Sequence, residues 1–195
     1  MPKTFKGNLF FIVGNSGSGK DSLLKEAMEQ WPEDLEEIKV PRRYITRPPH
    51  ETEPYHSVTE EKFKEMKTMG KFCLDWHIYD LYYGVPVEVE NWLENGHLVV
   101  INVSRSIIEE AKKKYPDLKI IFVKVPLEIT IERIKSRGRE SEGDPEYKRR
   151  IDRARKKQNL PEADFVVENV GPLEENAQVL KKYLLKFAKN KEKTN

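Results

Sequence analysis

The chain has 195 residues, of which 37% are hydrophobic and 35% are charged, a composition that excludes general disorder and suits one folded domain. Its 35 Lys and Arg residues nearly balance 33 Asp and Glu residues, for a net charge of +2, which excludes the one-sided basic surface of a general nucleic-acid binder. Cys73 is the single cysteine of the sequence, so neither a disulfide within the chain nor a cysteine zinc site can form. A single cysteine fits a reducing compartment, so we expect a cytoplasmic protein. The other expectations for this chain are a monomer or a homodimer and a small-molecule partner.

The first apolar run, Leu9–Val13, is too short to cross a bilayer and leads directly into a Gly-rich segment, so we expect neither an export signal nor a membrane partner. The run predicts a buried strand, and the helical spacing of apolar residues over Asp21–Gln30 predicts a helix after it. The same alternation recurs in Leu98–Ile101 with Ile107–Tyr115, in Ile120–Val123 with Leu127–Arg137, and in Phe165–Val167 with Leu173–Phe187. This order predicts an α/β fold in three layers, α/β/α, with a parallel central sheet.

Two stretches interrupt the alternation and divide the predicted single domain of residues 1–195 into parts. Residues 41–85 are predicted to form an inserted substrate-covering module, with a helix at Glu60–Met69 and strands at Phe72–Trp76 and Leu81–Tyr83. Residues 137–157 are rich in arginine and poor in large apolar side chains, which predicts a mobile basic lid outside the core. The core is assigned to residues 7–40, 86–136 and 158–189, and residues 190–195 to a frayed tail.

A phosphate-binding loop follows the first strand. The run Gly14-Asn15-Ser16-Gly17-Ser18-Gly19-Lys20 matches the first seven positions of the Walker A pattern. Glycines at these positions let backbone N–H groups turn toward phosphate oxygens, the following helix directs its positive end at them, and Lys20 reaches the β- and γ-phosphates. Because the run lies between an apolar strand and an amphipathic helix, it predicts a P-loop NTPase fold that binds ATP with Mg²⁺, and not a flexible turn.

Two positions near the expected magnesium ion depart from the usual pattern. The eighth Walker A position is Asp21 instead of Ser or Thr, with Ser22 next, and the strand at Leu98–Ile101 is followed by Asn102 where many P-loop enzymes have an Asp. One hypothesis is that the changes compensate, so that Asp21 supplies the negative charge that Asn102 lacks. The alternative is that Ser22 binds Mg²⁺ and Asp21 only favours the positive end of the helix.

Further motifs follow the loop in a fixed order: Ile45-Thr46-Arg47-Pro48, Tyr55-His56 before Glu60-Glu61-Lys62-Phe63, Tyr82-Tyr83-Gly84, Arg137-Gly138-Arg139, and Arg150 with Ala154. With these motifs the chain resembles the guanylate kinase-like group of nucleoside monophosphate kinases, from about residue 8 to residue 187. The resemblance implies a kinase that transfers the γ-phosphoryl group of ATP to a small phosphorylated acceptor.

Within this group the chain is similar to the ribose 1,5-bisphosphate phosphokinases. The similarity lies in Gly17-Ser18-Gly19-Lys20-Asp21-Ser22, Trp76-His77, Leu81-Tyr82-Tyr83-Gly84-Val85 and Asn102-Val103-Ser104-Arg105. It implies ATP-dependent phosphorylation of ribose 1,5-bisphosphate to 5-phosphoribosyl 1-diphosphate, and it makes Asp21 and Asn102 features of the subfamily.

The residues that contact guanine in guanylate kinases are partly replaced. The group uses an acidic residue in the module, assigned here to Asp75, a Ser or Thr after the Tyr-Gly pair, here Val85, and an Asp near the central strand, here Ser104. Such losses disfavour guanine, while His77 and Arg105 are expected to contact a second phosphate. A GMP or dGMP kinase is the alternative, followed by a kinase for another sugar phosphate and a non-catalytic guanylate kinase-like interaction module.

The resemblance assigns the other side chains by what they contact. Beyond the loop, the predicted ATP site contains Asp21, Ser22, Arg133, Arg139 and Asn169, the first two as Mg²⁺ ligands. The predicted acceptor site contains Arg43, Arg47, Tyr55, Asp75, His77, Tyr83, Ser104 and Arg105. Lys20, Arg137 and Arg150 are predicted to neutralise the transferring phosphoryl group, because a guanidinium fork suits phosphate oxygens. Trp76 and Tyr82 are predicted to be packing residues.

Overall fold

The computed structural model describes residues 2–49, 54–78, 80–136 and 145–191. The strands in these ranges are β1 (Asn8–Gly14), β2 (Tyr44–Ile45), β3 (His56–Ser57), β4 (Phe72–Ile78), β5 (Leu81–Pro86), β6 (Leu98–Asn102), β7 (Lys119–Lys124) and β8 (Phe165–Glu168). The helices are α1 (Lys20–Glu29), α2 (Glu60–Thr68), α3 (Glu88–Glu94), α4 (Ile108–Lys114), α5 (Leu127–Ser136), α6 (Pro145–Lys156) and α7 (Leu173–Leu184). None of these described helices is long and apolar enough to cross a membrane.

The chain forms two compact units. Unit 1 comprises Met1–Leu9, Ile38–Ile101 and Ser106–Leu118, and unit 2 comprises Phe10–Glu37, Asn102–Arg105 and Lys119–Asn195. The module of residues 41–85 lies in unit 1 together with α3 and α4, which the sequence assigned to the core. A hydrogen bond contributes to this grouping, because Lys114 Nζ at the end of α4 donates to the Cys73 carbonyl of β4 at 2.7 Å.

Three strands of unit 2, β1 from Phe10 onward, β7 and β8, belong to a parallel sheet. The sheet has the order β6-β1-β7-β8, and β1 pairs in parallel with β7 up to Gly14 opposite Val123. The apolar run Phe10–Val13 is fully buried, as expected for a strand covered on both faces. In β8, Phe165 stacks on Tyr183 of α7 with ring centroids 4.0 Å apart. The predicted α/β fold with a central parallel sheet flanked by helices is confirmed.

The carboxyl ends of the strands place several loops at one edge of this sheet. The phosphate loop follows β1, and the N–H of Val103, just after β6, donates to the carbonyl of Ile12 at 3.3 Å. Beyond β8, the N–H of Asn169 donates to the carbonyl of Lys124 at 2.9 Å. Ligands of open α/β sheets bind outside the carboxyl ends of the strands, so we expect a ligand site of unit 2 at this edge.

A second sheet lies in unit 1, with the order β3-β2-β5-β4. Helix α2 beside it begins where the Thr59 side chain accepts a hydrogen bond from the Lys62 N–H at 3.2 Å, and it ends before Gly70, whose φ is +67°. Phe63 of α2 is fully buried and stacks on Phe72 of β4, with centroids 4.7 Å apart. Both module strands extend beyond their predicted ends, because they pair as a hairpin from Phe72 to Pro86.

The C-terminal half of the predicted lid differs from its sequence-based description. Residues Pro145–Lys156 form helix α6, and Tyr147 and Ile151 are buried with Ile134 of α5 in a small apolar cluster. The expectation of a segment outside any core is wrong here, because two apolar residues four positions apart lie on one face of a helix. Residues 137–144 of the predicted lid lie outside the described residues.

The C-terminal end of the chain is held for two residues longer than predicted. Asn190 pairs with Leu35, and the N–H of Lys191 donates to the carbonyl of Asp34 at 3.0 Å. These backbone contacts hold the first two residues of the predicted frayed tail, and residues 192–195 lie outside the described ranges.

A buried carboxylate connects several elements of unit 1. Glu90 of α3 is 7% exposed, and its oxygens accept from Lys3 Nζ at 2.5 Å and from Tyr115 OH at 2.7 Å, with Lys114 Nζ at 3.1 Å. Burial by itself raises the pKa of Glu90, but the hydrogen bonds from Lys3, Tyr115 and Lys114 outweigh it and leave the pKa below its ordinary value. Glu90 is therefore ionised at neutral pH and stabilises the unit.

We expect Glu90→Gln to lower the free energy of unfolding at neutral pH by about 1–3 kcal/mol, because three donors lose their anionic partner. A carboxylate with a lowered folded-state pKa stabilises above its ordinary pKa and loses this contribution as the pH falls through the folded value. The difference between wild type and variant in urea unfolding should therefore shrink from about pH 7 to about pH 3. Glu94→Gln, at an exposed position of the same helix, is the control, and a difference that does not change with pH would contradict the prediction.

Candidate active site

The phosphate loop has a backbone that only glycine accommodates at two positions. Gly17 has a φ of +81° and Gly19 a φ of +74°, in the left-handed region. A Cβ on Gly17 would lie 3.0 Å from the Thr130 carbonyl oxygen, and a Cβ on Gly19 would lie 2.7 Å from Asn169 Nδ2. Gly19 also precedes α1 and provides no side-chain cap for its first N–H groups, so this helix end suits an anionic ligand.

Asn169 supports the loop from inside unit 2. The residue is 3% exposed, its Nδ2 donates to the Ser18 carbonyl at 2.7 Å, and its Oδ1 accepts from Asn176 Nδ2 at 3.3 Å. The Arg133 guanidinium donates to the Asn169 carbonyl at 3.4 Å. Both predicted nucleotide neighbours thus lie beside the loop, and the amide of Asn169 is used to hold the loop in shape.

The two departures from the usual magnesium pattern contact each other. Asn102 Nδ2 at the end of β6 donates a hydrogen bond to Asp21 Oδ1 in the first turn of α1, and both Asp21 and Ser22 are exposed. In the described part of the chain no three His, Cys, Asp or Glu residues form a metal-binding group. Mg²⁺ beside nucleotides commonly uses one or two carboxylates together with substrate phosphates, so a carboxylate, an amide and a hydroxyl at the loop fit this ion.

Helix α6 reaches the phosphate loop through an arginine. The Arg150 guanidinium donates to Ser16 Oγ at 3.2 Å, and one turn later Arg153 donates to Ser104 Oγ at 3.1 Å. Arg153 was not predicted, although its spacing of three residues from Arg150 places both on one helix face. Of the predicted lid arginines, Arg137 and Arg139 lie outside the described residues.

Arg105 has a different environment from the one that the sequence predicts. Its guanidinium donates to the carbonyls of Lys157 at 2.9 Å and Asn159 at 3.3 Å, and to Asn15 Oδ1 at 3.3 Å. Its carbon Cζ lies 4.4 Å from the centroid of the Phe122 ring. These contacts place Arg105 beside the phosphate loop of unit 2 and use three of its five N–H donors. They give no support to the prediction that it binds the acceptor.

In unit 1 the structure brings two predicted acceptor residues together. Arg47 Nε donates to Tyr55 OH at 3.1 Å, and the guanidinium carbon lies 4.7 Å from the Tyr55 ring centroid. Tyr55 OH in turn donates to the carbonyl of Pro48. The stacked and hydrogen-bonded arginine is held in one orientation, which is what recognition of a phosphate by a planar fork requires.

A third group of side chains lies on one face of the β3-β2-β5-β4 sheet of unit 1, which is called the module sheet below. Tyr83 of β5 stacks on Trp76 of β4, with ring centroids 5.1 Å apart and ring planes within 3°. The Arg43 guanidinium carbon lies 6.0 Å from the Tyr83 centroid. Trp76 is 7% exposed and packs on Tyr83, so it orients Tyr83, which the sequence prediction of a packing residue did not specify. The alternation of β4 in the sequence was a signal for the face of Trp76, whereas its pairing with Tyr83 is known only from the structure.

Asp75 and His77 lie on the opposite face of this sheet. Asp75 Oδ1 pairs with Lys67 Nζ of α2 at 2.5 Å, and the His77 ring packs against Tyr82 at 4.5 Å. Neighbouring residues of a strand point to opposite faces, so neither side chain is on the face of Tyr83 and Trp76. The prediction that both join Tyr83 in the acceptor site therefore has no support in the structure.

The face of Tyr83 carries an apolar pair that includes Val85, the position where the sequence resemblance implies a Ser or Thr for guanine binding. Val85 pairs across the strands with Leu74, and the two residues are 0% and 6% exposed. An acidic residue that acts together with position 85 would have to occupy position 74, not position 75. Both positions are apolar in this chain.

Comparisons with known proteins agree with this architecture. The family model described as guanylate kinase matches residues 6–187. A ribose 1,5-bisphosphate phosphokinase PhnN from Thiobacillus denitrificans is 40% identical over 77% of this chain and 78% of its own length. Another protein of that name, from Pseudomonas paraeruginosa, is 35% identical over 91% and 95%. The crystal structure of guanylate kinase from Anaplasma phagocytophilum superposes with a TM-score of 0.63 at 19% identity, covering 95% of this chain and 88% of that chain.

The contact between Asp21 and Asn102 makes the compensation hypothesis testable. We expect Asp21→Ser to weaken the Mg²⁺-dependent binding of a fluorescent ATP analogue by about tenfold or more. Adding Asn102→Asp to the Asp21→Ser variant should recover part of the lost affinity, because a carboxylate is again present beside the first turn of α1.

The single variant Asn102→Asp is the control, because it places a second carboxylate beside Asp21 and two adjacent carboxylates repel each other. If the double variant binds no better than Asp21→Ser, and Ser22→Ala abolishes the Mg²⁺ dependence, then Ser22 is the ligand and the compensation hypothesis is wrong.

Proposed function

Because the chain belongs to the guanylate kinase family and is a PhnN-type kinase within it, we propose that it phosphorylates ribose 1,5-bisphosphate with ATP to give 5-phosphoribosyl 1-diphosphate and ADP. The names of its relatives support the acceptor, and the phosphate loop supports a nucleoside triphosphate as donor. Since ATP is abundant in the cytoplasm, we also propose a cytoplasmic location.

The observation that carries the proposal is the apolar face beside Tyr83. Leu74 and Val85 are buried there, and the acidic Asp75 lies on the other face, paired with Lys67. The edge of a base needs hydrogen-bond partners, and a site built without them gives a base no selective binding. A sugar bisphosphate instead needs cations for its second phosphate. The module thus favours a phosphorylated sugar over guanine.

On the donor side, unit 2 supplies the groups that bind the nucleotide. The amides of residues 14–20 and the Lys20 ammonium would hold the phosphates of ATP, as the left-handed glycines of the loop, Gly17 and Gly19, suggest. Mg²⁺, held by Asp21 with Ser22 or Asn102, would neutralise charge on the β- and γ-phosphates. Arg150, which contacts Ser16 of the loop, would stabilise the charge of the transferring group.

On the acceptor side, unit 1 supplies an ordered arginine and three aromatic rings. Arg47, held by Tyr55, is the proposed ligand of an acceptor phosphate, with Tyr83 on its stack with Trp76 as a hydroxyl partner. Arg43 beside Tyr83 is the proposed second cation. Side chains that are already held in place favour the transfer more than mobile ones, because they lose their conformational freedom during folding and not during the reaction.

The transfer needs no protein base. One oxygen of the 1-phosphate of the acceptor forms a bond to the γ-phosphorus of ATP, while the bond from that phosphorus to the β,γ-bridging oxygen breaks and ADP leaves. A phosphate monoester is already largely a dianion at neutral pH, with a second pKa of about 6. The task of the protein is therefore to align two anions and to neutralise their charge.

The direct test offers ribose 1,5-bisphosphate, GMP, dGMP and AMP in parallel to the purified protein with ATP and Mg²⁺. We expect ADP release and 5-phosphoribosyl 1-diphosphate, identified by mass, in the sugar sample only. Turnover of GMP or dGMP alone would contradict the proposal and identify a guanylate kinase with an altered module, the second candidate that the fold similarity favours.

We expect Arg47→Gln to raise the KM for the acceptor by about 10- to 100-fold, because a charge-assisted hydrogen bond to a phosphate is worth about 1.5–3 kcal/mol. The KM for ATP should change little, since the variant leaves the phosphate loop and Lys20 intact. Lys62→Gln, which removes a cation from an exposed site in the same unit, is the matched control. Equal effects of Arg47→Gln on both KM values would contradict the assignment.

A further inference from the structure

The C-terminal end of helix α6 is met by side chains from two other segments of unit 2. Arg105 donates to the carbonyls of Lys157 at 2.9 Å and Asn159 at 3.3 Å. Asn15 Nδ2 donates to the carbonyl of Lys157 at 3.2 Å and lies 3.5 Å from that of Ala154. Ala154 lies in the last turn of α6, whose carbonyls have no partners within the helix and suit a donor such as the Asn15 amide. Lys157 and Asn159 follow the helix, which ends at Lys156, so Arg105 holds the segment that leaves it.

Asn15 and Arg105 are also joined to each other. Arg105 donates to Asn15 Oδ1 at 3.3 Å, so the carbonyl and the amino group of Asn15 are both used in the same cluster. The Phe122 ring, 4.4 Å from the guanidinium carbon, fixes the plane of Arg105. Burial, and then the nearby charge of Arg153, lower the pKa of Arg105 to about 10. The guanidinium therefore remains charged at neutral pH.

Helix α6 carries the arginine that reaches the phosphate loop. Arg150 contacts Ser16, and Arg153 contacts Ser104, the residue before Arg105. Asn15 is the neighbour of Ser16 in the loop. The loop and the segment after β6 thus each contact one arginine on the face of α6, and each also contacts the residues just after the helix, through Asn15 and Arg105.

We propose that Asn15 and Arg105 are positioning residues that fix the C-terminal end of α6 to the phosphate loop and so set the place of Arg150 for phosphoryl transfer. The pair touches no substrate in this role. The fixation of the helix rests on the geometry alone, whereas its effect on catalysis rests on the proposed function.

The proposed role predicts a loss in the rate of transfer and not in nucleotide binding. The loop amides and Lys20 stay in place when either side chain is shortened, so the Kd of a fluorescent ATP analogue should change by less than about threefold. A misplaced charge-stabilising group can cost about 100-fold in rate, so kcat should fall by about 10- to 100-fold. Because Asn15 and Arg105 act on the same helix end, their double variant should be no more than about threefold slower than the slower single variant.

The experiment compares Asn15→Ala, Arg105→Gln, Arg105→Lys and the double variant Asn15→Ala with Arg105→Gln. Arg155→Gln, which removes an exposed arginine from the same helix, is the matched control and should behave as the wild type. Lysine keeps the charge but loses the fork, so Arg105→Lys should recover only part of kcat. Readouts are kcat, both KM values, the Kd of the ATP analogue, and hydrogen exchange of the amides of residues 145–157 in the protein without ligand.

Hydrogen exchange separates this inference from the proposed function, because it needs no acceptor. Faster exchange in α6 for the Asn15 and Arg105 variants, but not for Arg155→Gln, supports the inference even if ribose 1,5-bisphosphate proves not to be the acceptor. Wild-type exchange and wild-type kcat in Arg105→Gln would overturn it and leave the proposed function intact. A rise in the Kd of the ATP analogue that accounts for the whole loss of activity would also overturn it, because the pair would then act on the loop alone.

Discussion

The parallel pairing of β1 with β7, continued by β8, is the constraint on which the nucleotide side of this protein depends. Parallel strands end at the same edge of a sheet, so the residues after each strand meet although they are far apart in the chain. The pairing is held by a fully buried apolar strand, Phe10–Val13. A change in its register would move the loop away from Asn169, which supports it from the end of another strand.

The phosphate loop is a short piece of backbone whose shape is fixed by its surroundings. Two glycines in the left-handed region leave no room for a Cβ against Thr130 and Asn169, and the Asn169 amide holds the Ser18 carbonyl. Rigid donors stabilise a charged transition state without reorganisation at the moment of reaction. The proposed transfer therefore depends on these supporting contacts as well as on the groups that would touch the nucleotide.

The module sheet separates two chemical environments on its two faces. One face has the Tyr83–Trp76 stack beside the buried pair of Leu74 and Val85, and the other is covered by α2 and contains the pair of Asp75 with Lys67. Strand alternation alone produces this separation. An acceptor without a base fits the first face, because such an acceptor offers phosphates and hydroxyls where guanine would offer an edge that needs polar partners.

The sequence by itself determined the fold class, the phosphate loop and the family, because these depend on local patterns: an apolar strand, a fixed spacing of glycines and lysine, and motifs in order. It also identified Asp21 and Asn102 as two departures, with compensation between them as one of two hypotheses, and the structure joins them by a hydrogen bond. Only the tertiary structure decided which side chains meet. Asp75 and Arg105 were grouped with the acceptor by sequence, yet the face of a strand and the end of helix α6 give them other partners, since a sequence motif fixes the order of residues but not the direction in which each side chain points.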